Sequence, residues 1–565
     1  MRVVFFPSLK TAEVEPGSTV IKAAESAGVL IDASCNGMGT CGKCKVTIDG
    51  QECLACQTTV DRDMEIFIPS THGGSDRKKK MVKLPDGFDI NTKIRRFEVK
   101  VPKARMDYQL NDIDRIRAEI GMDDLVVDDN IIRNVHPALE AARGSVTVTT
   151  NGNRLIAIEG TNTSSNDVYG IAYDIGTTTV VGMLWDLNIG ILIDVDTRTN
   201  YQSLYGADVI SRIGYSLQEE NGLAQLQEKA ITCLNEITAG MCERNGIREV
   251  DICDATIVGN TTMSHLVWGV TPKSLSRTPF APVFTEAQDT LACRLGINIC
   301  PNANVHLLPN IAGHVGSDIT AMMLASGISK MKGSHIAIDI GTNGEVVAIK
   351  DGHMACCSTA AGPAFEGATI TQGMRAADGA IEKVVINNSG VSIQTIGDAP
   401  AVGICGSGLI DAVAQLLDAG IVDESGKMLT EDGNFVLAQG DEPVMLTQND
   451  IREVQLAKGA ILAGIQTLMK SLDMKLEDID SVMLAGAFGN YIDIRSALRI
   501  GLLPQVCEDK VKAIGNAAGN GSSMALLSSR ERADADEIAR QVEHIELSCN
   551  EDFQDYYITA MTFSL

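Results

Sequence analysis

Positively charged residues are scarce in this sequence of 565 residues. Lysine and arginine number 47 against 73 acidic residues, which gives a formal net charge of −26. This excess of negative charge disfavours nucleic acids and anionic membranes as main partners. No charge-free apolar run approaches the length of a membrane span. The first residues, MRVVFFPSLKTAEVEPGSTV, are short of apolar length and soon acidic, so we expect no secretory signal.

A chain without a signal or a span is expected in the reducing cytoplasm, where its 15 cysteines would not form disulfides. Five of them lie between Cys35 and Cys56 and are candidate metal ligands. The others are scattered from Cys233 to Cys549, mostly among apolar residues. We expect most of these scattered cysteines to be small buried side chains.

The patterns along the chain predict a multidomain α/β protein. Residues 1–72 combine strands with a short helix that ends at Gly28, which suits a β-grasp ferredoxin. Residues 73–91 contain glycine, proline and a basic run, and are predicted to be a linker. Residues 92–165 indicate a small α/β middle domain, and residues 166–565 alternate strands and helices.

The segment CNGMGTCGKCKV has the spacing of iron–sulfur ligands. Five residues separate Cys35 from Cys41, two separate Cys41 from Cys44, and eleven separate Cys44 from Cys56. Thiolates must converge on the irons, and the glycines between them allow the backbone to wrap the cluster. The first gap resembles that of adrenodoxin-like ferredoxins, and the last is much shorter than theirs.

Two questions about this site stay open in the sequence. Either Cys53 or Cys56 could be the fourth ligand, and we favour Cys56 because LACQT resembles the fourth-ligand segment of ferredoxins. The alternative metal is structural zinc, which usually shows paired C-x-x-C units. Cys41 to Cys44 and Cys53 to Cys56 are both C-x-x-C pairs, but the additional Cys35 precedes Cys41 at the spacing of a ferredoxin, so the pattern favours a [2Fe–2S] cluster.

The tetrapeptide D-I-G-T occurs twice, each time between apolar strands. YGIAYDIGTTTVVGML carries Asp174, and HIAIDIGTNGEVVAI carries Asp339. A tight turn with free N–H groups, hydroxyls and a carboxylate can bind phosphate and the water of a metal ion. The repeat therefore predicts two related halves, each with one phosphate-binding hairpin. The hairpin residues expected at the nucleotide are Gly176, Thr177, Thr178, Thr179, Gly341, Thr342, Asn343 and Gly344.

Other motifs complete a predicted ATP site. We expect Asp174 and Asp339 to hold Mg²⁺ through water, and Asp318 or Glu345 to orient the attacking water. The strand SVMLAGAFGNYI ends in a glycine turn at Gly486 and Gly489 that suits an adenosine. Two glycine- and alanine-rich helices, in GHVGSDITAMMLASGI and IGNAAGNGSSMALL, are expected to be in close contact.

In their order, these motifs resemble those of the acetate kinase, sugar kinase, Hsp70 and actin superfamily. The resemblance covers most of residues 168–565. It implies an actin/Hsp70-like ATPase with duplicated RNase H-like halves, which binds ATP and Mg²⁺ between two closing lobes.

The whole architecture resembles the ATP-dependent reductive activators of corrinoid proteins. STAAGPAFEGA and the C-terminal FQDYYITAMTFSL look like that family as well. The resemblance implies one-electron reduction of inactive Co(II) to Co(I) for corrinoid-dependent methyl transfer. It also implies a corrinoid protein as partner, an upstream donor such as a ferredoxin or flavodoxin, and a homodimer. Some relatives carry C-terminal [4Fe–4S] clusters, whereas this chain has only Cys549 near its end.

An electron transfer to Co(II) at low potential would require the free energy that an ATPase supplies. A plant-type ferredoxin near about −400 mV is an uphill donor to Co(II), and each 100 mV of shortfall costs about 2.3 kcal/mol. Two other functions remain open. One is an activator of another low-potential metalloenzyme, like those of 2-hydroxyacyl-CoA dehydratases. The other is a small-molecule kinase with a redox-sensing ferredoxin domain.

The segment MACCSTAAGPAFEGATITQGM follows the second hairpin closely. Its position suggests a loop that moves when the lobes close, and its small side chains would admit a flat corrinoid. We expect Ser358 or Thr359 to lie nearest the cobalt. The simpler interpretation is a tight loop between strands.

Overall fold

The computed structural model describes residues 1–6, 10–29, 31, 44–48, 51–68, 82, 84–85, 87–161, 167–387, 390–440, 442–489 and 491–564. Among the helices within these ranges, none is long and apolar enough to cross a membrane.

The N-terminal part is a five-stranded sheet covered by one helix. Its elements are β1 (Arg2–Phe6), β2 (Lys10–Glu13), α1 (Val20–Ser26), β3 (Lys45–Ile48), β4 (Gln51–Leu54) and β5 (Met64–Phe67). The strands lie in the order β2-β1-β5-β3-β4, with β1 parallel to β5. The Thr19 hydroxyl caps α1, which ends before Gly28, where φ is 63°. This is the β-grasp arrangement that the sequence predicts.

The next part has three antiparallel strands and two helices around its own apolar core. Its elements are β6 (Ile94–Lys100), α2 (Asp112–Ile120), α3 (Asp129–Ala141), β7 (Ser145–Asn151) and β8 (Arg154–Gly160). Arg96 joins it to the following lobe through a buried ion pair with Asp251, 3.2 Å between Nη2 and Oδ1.

The C-terminal end of the predicted linker packs against the protein. Leu84 and Phe88 are partly buried against the core, and the Asn91 N–H donates to the Leu527 carbonyl at 2.9 Å. The basic run, Arg77–Lys80, lies outside the described residues.

Two six-stranded sheets form the lobes of the remainder. The first lobe contains β9 (Tyr169–Ile175), β10 (Thr179–Asp186), β11 (Ile191–Thr199), α4 (Val209–Gln218), α5 (Gly222–Asn245), β12 (Ile252–Gly259), α6 (Thr261–Val267), β13 (Gln288–Leu291), α7 (Ala292–Leu295), β14 (Asn304–Leu307) and α8 (Ser317–Ser326).

The second lobe begins with β15 (Ser334–Ile340), β16 (Gly344–Lys350), β17 (His353–Thr359), β18 (Ala380–Asn387), β19 (Gly390–Thr395), β20 (Gly403–Ile404) and α9 (Gly406–Asp418). It continues with β21 (Asn434–Ala438), β22 (Val444–Thr447), α10 (Gln448–Ser471), β23 (Ile479–Ala485), α11 (Gly486–Gly489), α12 (Ile494–Arg499), β24 (Val511–Gly515), α13 (Ala517–Leu527), α14 (Ser529–Gln541), β25 (Glu543–His544) and α15 (Glu551–Ala560).

Five strands of each sheet share one topology, and only the sixth strand, β13 or β25, lies at a different edge, which confirms the predicted duplication. Their orders are β11-β10-β9-β12-β14-β13 and β25-β17-β16-β15-β23-β24, the second given from its β25 edge. In each, an antiparallel three-stranded meander is followed by parallel strands beside its first strand. Asp174 and Asp339 lie near the ends of the equivalent strands β9 and β15.

Two small-residue helices pack closely between the lobes, as predicted. A side chain on Gly521 of α13 would begin 2.0 Å from the Ala321 carbonyl oxygen of α8. Although α13 follows the last parallel strand of the second sheet, its Ser522 hydroxyl donates to the Tyr173 carbonyl of the first, at 3.2 Å. The helix therefore fixes one lobe against the other.

The scattered cysteines mostly behave as apolar core residues. Cys233, Cys242, Cys253, Cys300, Cys356, Cys357 and Cys405 are buried, whereas Cys293, Cys507 and Cys549 are exposed. None of the described cysteines forms a disulfide bond.

Candidate cluster site and nucleotide cleft

The cysteines at the ends of the β3–β4 hairpin converge on one point. The Sγ atoms of Cys44 and Cys56 lie 3.2 Å apart without a disulfide bond. The Cys56 N–H also donates to the Cys44 sulfur at 3.5 Å, and Gln57 Nε2 donates to the Cys56 sulfur at 3.6 Å. Two adjacent thiols with N–H donors to sulfur fit an iron–sulfur cluster.

Cys53 does not take part in this convergence. Its thiol is directed to the Val46 carbonyl oxygen across the hairpin, 3.7 Å away. The geometry therefore supports Cys56 as the fourth ligand. Cys35 and Cys41 lie outside the described residues.

Both D-I-G-T turns are closed by their own backbone. The Gly176 N–H donates to the Thr179 carbonyl at 3.0 Å, and the Gly341 N–H donates to the Asn343 carbonyl at 2.9 Å. A side chain at Gly176 would lie 2.8 Å from that Thr179 oxygen, so the first turn requires glycine.

Three polar side chains support the first hairpin. Asn260 Nδ2 donates to Thr177 Oγ1 at 3.0 Å, and Asn200 Nδ2 donates to the Gly176 carbonyl at 2.9 Å. Arg212, which is fully buried, donates to the Thr177 carbonyl at 2.5 Å. Sequence analysis missed all three donors because they come from three separate elements of the fold.

Four carboxylates share the cleft between the lobes. Desolvation is the main cause that raises the pKa of each, to about 7 for Asp174, about 8 for Asp318 and about 6 for Asp339. The pKa of Glu345 is raised well above its usual value for the same reason, with repulsion from Asp318 and Asp339 added. The structure thus brings together all four acids that the sequence predicts at the nucleotide, and such crowding favours a bound cation.

Two neighbouring residues, Asn516 and Gly486, affect the surroundings of Asp174 and Asp339. A hydrogen bond from Asn516, which also caps α13, opposes the rise in the pKa of Asp174. Gly486 has φ of 85°, and a side chain there would lie 2.8 Å from Asp339 Oδ1. Gly486 therefore leaves space beside the carboxylate, while the adenosine role expected for Gly486 and Gly489 stays a prediction.

A row of polar residues leads away from the cleft across the second sheet. Asp339 pairs with Glu345 on β16, and Glu345 pairs with Ser358 on β17, so the three side chains share one face. The Ser358 hydroxyl donates to Glu345 Oε1 at 3.2 Å.

Thr359 lies on the opposite side of the same strand. It is 1% exposed, and its hydroxyl donates to the Gly344 carbonyl at 2.9 Å. A side chain at Gly464 of α10 would lie 2.5 Å from the Thr359 methyl group, so helix and strand enclose this residue. Ser358 and Thr359 therefore belong to a strand, and the loop expected from the sequence begins after them.

The C-terminal half of that segment also reaches the cleft. Glu366 accepts hydrogen bonds from the hydroxyls of Thr178 and Thr342, one on each hairpin. In the sequence, Glu366 is recognisable only as the acidic residue of GPAFEGA, and no motif predicts its contact with the two hairpins.

These features define a class: a ferredoxin-type electron-transfer module joined to an ATPase of the ASKHA fold. Comparison with family models agrees along the chain. Residues 5–66 match the 2Fe-2S iron-sulfur cluster binding domain, 84–165 the RACo linker region, 169–331 the RACo middle region, and 334–565 the C-terminal ASKHA domain of RACo.

The chain belongs to the family of RACo and of the corrinoid activation enzyme RamQ. It is 33% identical to RamQ of Eubacterium limosum, over 100% of this chain and 99% of that protein. A solved structure of a reductive activator for a corrinoid, iron-sulfur protein is 35% identical, with a TM-score of 0.77, and the match covers 99% of this chain and 98% of that one. The Co(II) methylated amine-specific corrinoid protein reductase of Methanosarcina barkeri is 25% identical over 70% of this chain and 77% of its own length.

The positions of Cys53 and Cys56 predict different outcomes for two matched substitutions. Cys56→Ala should lose the visible absorption and electron paramagnetic resonance signals of a [2Fe–2S] cluster, because it removes a thiolate beside Cys44. Cys53→Ala should retain both signals. A normal cluster in Cys56→Ala together with a lost cluster in Cys53→Ala would transfer the fourth role to Cys53.

The raised pKa values predict that Mg²⁺–nucleotide binding releases protons. At pH 7 the cleft acids with pKa values of about 7 and 8 hold protons that a bound cation displaces, so affinity should increase as the pH rises from 6 to 8. Calorimetry with a non-hydrolysable ATP analogue, in buffers of different ionisation enthalpy, counts these protons.

Asp318→Asn serves as the comparison, since it removes the group with a pKa of about 8. That variant should release fewer protons at pH 7. A proton count of zero in the unchanged protein, with affinity independent of pH, would contradict this account of the cleft.

Proposed function

We propose that this protein reactivates a corrinoid protein by ATP-dependent one-electron reduction of Co(II) to Co(I), in support of corrinoid-dependent methyl transfer. The observation that carries the proposal is the continuous polar row from the nucleotide cleft to Ser358, in a chain that also has a ferredoxin-type cluster site. Full-length relatives that activate corrinoid proteins support it over a small-molecule kinase or an activator of another metalloenzyme.

The cleft supplies the groups that phosphoryl transfer requires. We assign Asp174 and Asp339 to a Mg²⁺ shell through water, and Thr177, Thr178, Thr342 and Asn343 to the phosphates. Asp318 and Glu345 orient the attacking water, and burial raises the pKa of each carboxyl group, so each would act as a carboxylate once a bound cation has displaced its proton. Positioning and charge neutralisation of this kind account for most of the catalysis in ATPases.

The cluster, when bound, supplies a one-electron carrier. Cys44 and Cys56 hold it on the β3–β4 hairpin, together with Cys35 and Cys41. A low-potential ferredoxin or flavodoxin would reduce it in the cytoplasm, and the protein would act as a homodimer.

Ser358 is the residue that we assign to the corrinoid. It is half-buried at the end of β17, and its hydroxyl already donates to a cleft carboxylate. Any change in the charge of Glu345 during the ATP cycle therefore alters the hydrogen bond of the hydroxyl that we assign to the corrinoid. Thr359 is enclosed by β16 and α10, which leaves it a structural role.

The direct test mixes the protein, a low-potential reductant, ATP and a Co(II) corrinoid protein, and monitors the absorption band of Co(I). Co(I) should accumulate only with ATP. Asp174→Ala should abolish ATP turnover and Co(I) formation, because it removes one of the two strand-end carboxylates, and should leave the cluster spectrum intact. Unchanged hydrolysis in Asp174→Ala, or Co(I) formation that ignores ATP, would contradict the proposal.

Ser358→Ala separates electron delivery from ATP turnover in the same assay. This single change should slow Co(I) formation about tenfold, because it removes the hydrogen bond to Glu345 that links the cleft with the residue assigned to the corrinoid. Cluster content should stay normal, and ATP turnover without corrinoid should fall much less than Co(I) formation does, because Ser358 also bonds the cleft residue Glu345. Thr359→Ser is the matched control, because it retains the hydroxyl that bonds Gly344.

A further inference from the structure

Glu366 joins the two phosphate hairpins through both oxygens of one carboxylate. Thr178 Oγ1 donates to Oε2 at 3.1 Å, and Thr342 Oγ1 donates to Oε1 at 2.8 Å. Thr178 belongs to the first lobe and Thr342 to the second, so a single side chain bridges the cleft. These hydroxyls are two of those that we assign to nucleotide phosphate.

A threonine hydroxyl has only one proton to donate. While Glu366 accepts both protons, neither hydroxyl can donate to a phosphate oxygen. Carboxylate and phosphate are both anions that accept such bonds, so the two compete for the same donors and also repel each other.

The backbone around Glu366 forms a closely packed turn. Its N–H donates to the Pro363 carbonyl at 3.1 Å, and the preceding Phe365 is only 3% exposed. Gly367 has φ of 77°, and a side chain there would lie 2.7 Å from the Met374 nitrogen. Glu366 is thus part of a packed turn that directs its carboxylate to the two hairpins and that is in direct contact with Met374.

The same segment is tied to the rest of the second lobe at its far end. The Thr371 N–H and hydroxyl both donate to Asp450 Oδ1, at 2.7 and 2.9 Å, beside the first turn of α10. The Met374 N–H donates to the Ile404 carbonyl at 2.9 Å. The segment's near end is Ser358 and Thr359 on β17. Residues 360–374 therefore connect the phosphate hairpins with the strand assigned to the corrinoid.

We propose that Glu366 is a positioning residue that occupies the place of a nucleotide phosphate and must be displaced when ATP binds. Its displacement transmits the presence of the phosphate to residues 360–374 and from there to Ser358. The inference rests on the proposed function for the identity of the partner, but its first step concerns nucleotide alone.

The test measures the affinity of a non-hydrolysable ATP analogue by calorimetry, without any corrinoid, for Glu366→Ala and Glu366→Asp. Removing an internal competitor should tighten binding about tenfold in Glu366→Ala, since hydrogen bonds to a charged group contribute that much. Glu366→Asp keeps the charge but is one methylene too short to reach both hydroxyls, so it should also tighten binding. Glu382→Gln is the control, because Glu382 accepts a hydrogen bond from Gln394 on β19 of the same lobe.

Each outcome decides between alternatives. Tightening in both Glu366 variants, with Glu382→Gln unchanged, supports the bridge. If only Glu366→Ala binds the analogue more tightly, the cause is the loss of negative charge, and the bridge is overturned. Weaker or unaltered affinity in Glu366→Ala would overturn the bridge as well. Melting temperature and cluster absorption establish that each variant is folded.

A second readout links the bridge to the partner. If the bridge couples ATP to the corrinoid, Glu366→Ala should lower the number of Co(I) formed per ATP hydrolysed at least about fivefold, because ATP then binds without moving the segment. Unaltered coupling would overturn the transmission step. A wild-type protein that reduces no corrinoid would instead contradict the proposed function, and the calorimetric result would stand.

Discussion

The mutual proximity of four carboxylates between the lobes is the constraint on which the rest of the structure depends. Asp174 and Asp339 lie near the ends of equivalent strands of a duplicated fold, so the duplication itself forces them together. Asp318 and Glu345 add to the crowding, and desolvation raises the pKa of every member. Such a cleft is stable when protons or a cation compensate the charge, which makes it responsive to Mg²⁺ and nucleotide.

The consequences of this charge extend along one face of the second sheet. Asp339, Glu345 and Ser358 are partners across three adjacent strands, and Ser358 donates a hydrogen bond to Glu345. A change in the charge of the cleft acids would therefore act directly on the Ser358 hydroxyl. Glu366 forms a second connection, through hydrogen bonds to both hairpins. A ligand shifts a conformational equilibrium only through different contacts with the two states, and these residues are the contacts that ATP would change.

Local sequence patterns predicted most of the fold and many residues of the nucleotide cleft. The two D-I-G-T hairpins, the cysteine spacing and the small-residue helices are short-range signals, because each motif needs only its own neighbours to form. Arg212, Asn260, Asn516 and Glu366 could not be found in this way, since each reaches the site from an element distant in the chain. The sequence did not distinguish Thr359 from Ser358 as the residue nearest the cobalt, because the segment was expected to be a loop. On the actual strand β17, adjacent residues face opposite sides, which leaves Ser358 as the candidate.

We infer that nucleotide acts on the cobalt and leaves the cluster's potential unchanged, because the row of polar contacts from the cleft ends at Ser358, the residue assigned to the corrinoid. This inference is tested most directly by poising the complex with a corrinoid protein at a series of potentials and measuring both centres in the same sample, with and without a non-hydrolysable ATP analogue. The account predicts that the analogue raises the potential at which Co(I) appears, while the potential of the [2Fe–2S] signal stays constant. A nucleotide-dependent shift of the cluster's potential, with the cobalt couple unmoved, would contradict it.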